Sequence, residues 1–143
     1  AGPSQPLTAP IWALPSATST SLDIVNFLYE NCDVMSFHSY RGPKDMERFI
    51  KLLQAFDRPI LCTEYMARPH STFQDILPIL KRERVGAMNF GLVAGKGNFY
   101  YPWGSKPGSP EPKIWHHDIL RSDGTPYDPK ETAFIKQLTG RDR

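Results

Sequence analysis

The sequence contains no apolar run close to the roughly 20 residues needed to cross a bilayer, so no membrane partner is expected. It also lacks a concentration of positive charge: the 17 Lys and Arg residues are spread along the chain and the net charge is only +2. Phosphate backbones are bound by clustered basic faces, so nucleic acid is not an expected partner either. Cysteine is scarce, with Cys32 and Cys62 the two present. A single possible pair is weak evidence of an oxidising compartment, and two small buried thiols are the ordinary expectation. No Cys or further His stands at metal-ligand spacing from the adjacent pair His116-His117. These histidines read as surface or packing residues, and no metal or cofactor is expected. The opening Ala1–Pro10 has neither the basic nor the apolar stretch of a signal peptide.

What remains is a chain with enough apolar residues (40%) to form a core and a length, 143 residues, that suits one domain over 1–143. Residues 33–40 (DVMSFHSY) alternate and read as a strand. PILCTEY at 59–65 and VGAMNFGL at 85–92 are short apolar runs of the kind found in parallel strands covered on both faces. LTAPIWAL at 7–14 is a further strand, and its Pro10 suits an edge or a bulge.

Helical patterns separate these runs. Ile24, Phe27 and Leu28 share a face in one, and Met46, Phe49, Ile50 and Leu53 in the next, which Pro43 opens as a first-turn proline. Phe73, Ile76, Leu77 and Leu80 mark a third, with Ser71 or Thr72 as N-cap and Pro78 as an expected kink. A fourth runs from Asp128-Pro129 to Leu138 and is closed by Gly140.

Strand–helix alternation implies a parallel sheet of βα units. Four such units fit either a small doubly wound sheet or half of an eightfold barrel, since a whole barrel typically needs about 250 residues. Residues 93–127 break the rhythm with a long Gly/Pro-rich loop between the last strand and the last helix. The loop holds Phe99, Tyr100, Tyr101, Trp103, Trp115, His116 and His117, an aromatic load that argues for order and function.

In α/β barrels the carboxyl ends of the strands face the active site. Here those ends carry His38 and Tyr40, then Glu64 and Tyr65, then Asn89 and Phe90. A glutamate closing a buried strand must be paired, protonated or set in a polar cleft. The bland reading is an ion pair with Arg68 or Arg41, with Arg68 and His70 otherwise lining the cleft or solvated. The chemical reading is a carboxylate attacking an anomeric carbon. A tyrosine hydroxyl would hold it ionised, His38 and Asn89 would bind sugar hydroxyls, and Trp12 and Trp103 would stack on a pyranose. Cys62 lies two residues before Glu64, so plain alternation puts both on one face. With no base beside it, it reads as core packing.

DVMSFHSY, RPILCTEYMAR, VGAMNFGLVAGK, YPW and KIWHHDILRSDGTPYDPKE, in that order over residues 7–140, resemble the last four βα units of clan A glycoside hydrolases. The nearest resemblance is to the family 5-like cellulase group. It implies a (β/α)4 half-barrel equivalent to strands five to eight of a (β/α)8 TIM barrel. Glu64 falls at the end of the seventh strand on the retaining nucleophile. His38 and Tyr40, ending the sixth, fall on substrate-contact and nucleophile-supporting positions, and Asn89 stands near the subsite for the reacting sugar; the residues themselves add Tyr65, Trp12 and Trp103 to the expected site. The same resemblance implies a β-linked carbohydrate substrate and an extracellular or periplasmic location. Phe90 stands where many relatives of that clan carry an aromatic, often Trp.

The clan's acid/base is a Glu following Asn at the end of the fourth strand, and no Asn-Glu pair occurs in this sequence. Glu30, Glu47, Glu83, Glu111 and Glu131 fall on expected helices or loops. Alone, such a chain would be a weak enzyme or an inactive one. Completion would come from a complementary N-terminal half-barrel or from a second copy closing a homodimer. The alternative is a non-catalytic carbohydrate-binding or self-associating half-barrel.

Overall fold

The computed structural model describes residues 2–12 and 19–140 of the chain. Four parallel strands, β1 (Pro10–Ile11), β2 (Met35–His38), β3 (Ile60–Glu64) and β4 (Gly86–Ala87), form one sheet in sequence order. Helices α1 (Ser19–Asn31), α2 (Pro43–Gln54) and α3 (Phe73–Arg82) connect successive strands, and α4 (Pro129–Thr139) ends the chain. A sheet whose strands follow in order through right-handed crossovers places its connecting helices on one face. The core accordingly lies on that side, with Met35, Phe37, Ile60 and Cys62 packed against Met46, Phe49, Ile50, Leu53, Ile76 and Leu80.

Helix starts and stops follow their local chemistry. Pro43 occupies the first turn of α2, and the Thr72 hydroxyl accepts the Asp75 N–H at the start of α3. Asp128 accepts the Lys130 N–H at the start of α4, and Gly140 closes it at φ 71°, a left-handed conformation that glycine adopts without strain. α3 runs unbroken through Pro78. The carbonyl that loses its partner there belongs to Gln74 in the exposed first turn, where solvent serves it.

Three expectations need correction. β1 and β4 are two residues each, well short of 7–14 and 85–92; residues 13 and 14 lie outside the described ones. The buried side of α1 carries Val25, Leu28 and Tyr29, whereas Ile24 and Phe27 stand 63% and 61% exposed. The third correction concerns the faces of β3. Phe37 pairs with Cys62, but the next pair is His38 with Glu64, so Thr63 is an extra residue, a β-bulge. Phe37 stacks on Phe49 of α2, with ring centroids 4.7 Å apart, which fixes Phe37 and Cys62 on the helix side. Ser36 and His38 point the other way, and Glu64, in register with His38, points with them. Cys62 and Glu64 therefore lie on opposite faces.

The face away from the helices is only partly covered, leaving Pro10 and Met88 exposed and Leu61 half-buried. Among the described residues no helix is long and apolar enough to cross a membrane.

Candidate functional site

Glu64 ends β3 on the open face of the sheet, at the carboxyl end of the strands. The Tyr40 hydroxyl donates a hydrogen bond to its Oε2. Nδ1 of His38, on the neighbouring strand, lies 3.5 Å from Oε1. Burial, and then the hydrogen bond and charge of Glu64, hold the Tyr40 phenol far above its ordinary range, so it remains a donor at any neutral pH. Neither basic partner suggested by the bland reading is used. Arg41 lies 3.9 Å from Asp45, and Arg68 is paired with Glu131. Glu64 is thus a half-buried carboxylate held by a tyrosine, with His38 beside it and neither arginine paired to it.

Aromatic rings surround this carboxylate. Trp12 stands edge-on to His38 at 5.4 Å and lies 6.2 Å from Tyr40. Trp103, on the long loop, stands edge-on to Tyr40 at 4.9 Å, and the His117 ring lies 5.3 Å from Tyr40. The structure thus gathers Trp12, His38, Tyr40, Glu64 and Trp103, the last contributed by a segment 39 residues further along the chain than Glu64 (103 minus 64).

Two further expected site residues are engaged in other contacts. Tyr65, the residue after Glu64, alternates back into the helix-side core, edge-on to Phe73 at 5.9 Å, and burial pushes its hydroxyl up. It lies on the face opposite Glu64. Asn89 donates its NH2 to the Gly91 carbonyl at 2.5 Å and the His117 carbonyl at 3.4 Å, while its buried Oδ1 has no partner in the protein. Gly91 has φ 98°, and a Cβ on it would stand 2.8 Å from Oδ1 of Asp118, so only glycine allows the chain leaving β4 to pass beneath residues 117–118.

The sequence singled out Trp115, His116 and His117 for the aromatic load of the long loop, but not Asp118 or the grip of Arg68 on the segment. Trp115, His116, His117 and Asp118 are all buried. Arg68, read from sequence as lining a cleft or solvated, is buried and donates to the carbonyls of Trp115 at 3.1 Å and of His116 and Asp118 at 3.3 Å. It is held in turn by a bidentate pair with Glu131 of α4. Its cation also lies over the rings of Tyr127 and Phe73. The one available signal was Arg68 itself, a long cation four positions past a strand-end glutamate; nothing local announces Glu131, 63 residues away.

His117 is fixed by an Nδ1 contact of 2.7 Å with the Met66 carbonyl. A carbonyl only accepts, so Nδ1 carries the proton and Nε2 presents a lone pair. Burial lowers the affinity of His117 for a second proton, and it pushes His116 down to about 4, with neighbouring His117 adding to the effect. Burial also raises the Asp118 carboxyl, against the pull of the Tyr100 backbone N–H. Both cysteines are free and buried, and burial pushes the Cys62 thiol up to about 12. Cys62 is therefore an inert packing group.

Among the described residues no group of three or more His, Cys, Asp or Glu side chains is arranged to hold a metal ion. A shallow cavity of about 340 Å³, bordered by Asn98, Tyr100, Glu111, Trp115, Arg121 and Asp123, lies on the long loop and includes none of the residues around Glu64. Comparison with protein-family models, with curated proteins and with solved structures returned no match.

Proposed function

We propose that this chain is the C-terminal half of a retaining β-glycosidase barrel, equivalent to strands five to eight, with Glu64 as the nucleophile. The observation that carries the reading is the bulge at Thr63, which turns Glu64 onto the open face and under the Tyr40 hydroxyl. Bulges beside active sites commonly re-aim a side chain in this way. Four parallel βα units in sequence order, with helices on one face only, are what half of such a barrel requires.

In this reading the Glu64 carboxylate attacks the anomeric carbon of a β-linked sugar. Tyr40 orients it and holds it ionised, His38 meets a substrate hydroxyl, and Trp12 and Trp103 flank the ring. Retention also needs a second carboxyl group roughly 5 Å from the first to protonate the leaving oxygen. No other carboxylate is in contact with Glu64 among the described residues. A complementary half-barrel or a second copy of this chain supplies it. Exposed apolar residues at the β1 side (Leu7, Trp12, Ile24, Phe27) and the β4 side (Met88, Leu92, Val93) support such a partner, because each side would be covered on closure.

General acid help is typically worth about 10²–10⁴-fold, and a dinitrophenolate leaving group does not need it. Dinitrophenyl β-glycosides should therefore be hydrolysed slowly by the chain, and Glu64→Gln should abolish that turnover. Equal rates for the two proteins would overturn the assignment.

The second reading, a non-catalytic carbohydrate-binding or self-associating half-barrel, is favoured by the lack of a second carboxylate in contact with Glu64. It predicts sugar binding with no turnover of activated glycosides.

A further inference from the structure

We propose that His116 and His117 form a subsite, covered by Trp103, that receives two neighbouring hydroxyls of a neutral polyol, a sugar ring being the class that fits. The proposal rests on reading the Glu64 cleft as a carbohydrate site, but not on catalysis there. Its basis is a concentration of buried polar atoms without protein partners. Both ring nitrogens of His116 and Nε2 of His117 have no protein partner in hydrogen-bond geometry, although the residues are only 4% and 2% exposed; the Tyr101 backbone lies near enough to His116 to affect its proton affinity but is not aligned to bond it. Buried polar groups in folded proteins are nearly always bonded, so three bare nitrogens on two touching rings call for a reason.

The geometry supplies one. The two rings are stacked, 1° from parallel with centroids 4.5 Å apart. Together they offer two lone pairs and one N–H: one of each from neutral His116, and the lone pair of His117, whose other nitrogen faces the Met66 carbonyl. Neighbouring hydroxyls on a pyranose each donate and accept, and they lie side by side as the two rings do. Neutral imidazoles do not select an anion, which separates this subsite from one for a phosphate or a uronate.

Trp103 lies over both rings, 4.3 Å from His116 and 5.5 Å from His117, while 60% exposed itself. The hydrogen bonds of its turn are local: Ser105 N–H to Pro102, Ser109 N–H to Lys106, Lys106 N–H to the Ser109 hydroxyl, and the Tyr101 hydroxyl to Ser109. The backbone bonds from His116 and His117 end at Tyr100 and Phe99, before the turn, so ring contacts hold the indole over the body and displacement of the turn alone leaves that ladder in place. It would uncover the nitrogens beside Tyr40 and Glu64, and the same indole would then close on the bound sugar.

The test uses His116→Phe, which preserves the stacked ring and removes no protein hydrogen bond. Cellobiose and methyl β-D-glucoside, with the manno, galacto and xylo counterparts, are titrated into protein labelled with ¹⁵N at histidine. The subsite predicts that at least one sugar moves the unprotonated-nitrogen resonances of His116 and His117. It also predicts that His116→Phe weakens binding of that sugar about tenfold without lowering Tm, and that Glu64→Gln leaves the shifts in place. If a sugar binds equally well to wild type and His116→Phe with the resonances unmoved, the proposal is wrong. It is equally wrong if no sugar moves them in Trp103→Ala, where the nitrogens are already uncovered. Imidazole shifts without turnover of activated glycosides would keep the subsite and remove the catalytic reading.

Discussion

His38 and Glu64 stand side by side across β2 and β3, although Phe37 and Cys62, the pair before them, leave no room in a regular ladder for that match. The surplus residue is Thr63, whose hydroxyl is bonded to the Phe37 carbonyl at 3.3 Å. Deleting Thr63 closes the bulge and makes Glu64 the residue after Cys62, still opposite His38 and still on the open face. The deletion is expected to keep Glu64 under Tyr40 and to cost about 0.5–1.5 kcal/mol, the order of the lost Thr63 hydroxyl bond, in urea denaturation followed by far-UV circular dichroism; complete unfolding would show that the strand does not tolerate the regular register.

The Arg68–Glu131 pair is expected to dominate the stability of the long loop. Removing one partner of a buried pair typically costs about 3–5 kcal/mol, because the other charge is left behind. Glu131→Gln should show a loss of that order in urea titration. Arg41→Ala, which breaks only an exposed contact with Asp45, should fall within about 0.5 kcal/mol of wild type.

Much of the scaffold was legible in the sequence, and the exceptions have physical causes. The i, i+3, i+4 spacing of Met46, Phe49, Ile50 and Leu53 reports burial directly, so α2 and its face were readable, as was α3. In α1 the same reasoning chose Ile24 and Phe27, which are exposed; the apolar stripe there is wider than the face the sheet covers. The carboxyl-end positions of Glu64, His38 and Tyr40 followed from strand ends alone. The bulge did not, because an extra residue in a strand leaves no compositional mark. Local pattern also gives no sign that Tyr65 alternates into the helix-side core, or that the Asn89 NH2 is taken by backbone carbonyls while its Oδ1 is left without a partner. The grip of Arg68 on residues 115–118 spans some 50 residues of chain and is invisible to local pattern.

The buried histidines set a pH dependence. His116 and His117 have proton affinities lowered by folding, so below about pH 6.5 the unfolded chain binds protons that the native one refuses. Stability is therefore expected to fall as pH drops from about 6.5 toward 4, by at most about 1.4 kcal/mol per pH unit for each proton. Asp118 acts in the opposite sense, since its raised carboxyl pKa makes the native state bind protons more readily than the unfolded chain above pH 3.8. His116→Phe should flatten the acid-side slope in denaturation curves collected across this range. It should also raise stability by about 1–3 kcal/mol at neutral pH, through loss of two buried polar atoms that have no protein partner. An unchanged slope would contradict the burial of this ring.

The exposed apolar residues at both ends of the sheet predict association. Sedimentation velocity at micromolar concentrations should find a species larger than a monomer, either a dimer or a complex with a complementary half. Phe27→Glu together with Met88→Lys should shift it toward monomer without loss of helical signal. A wild-type chain that stays monomeric at all concentrations would exclude the second copy as the closing partner.

The role of Glu64 is tested most directly by covalent trapping. A dinitrophenyl 2-deoxy-2-fluoro-β-glycoside reacts with a retaining nucleophile without acid assistance and leaves a long-lived ester. Peptide mass spectrometry after incubation with the gluco, manno, galacto and xylo reagents should find one added fluorosugar, located on Glu64 and missing from Glu64→Gln. An adduct on another residue, or none with any of the four, would contradict the account.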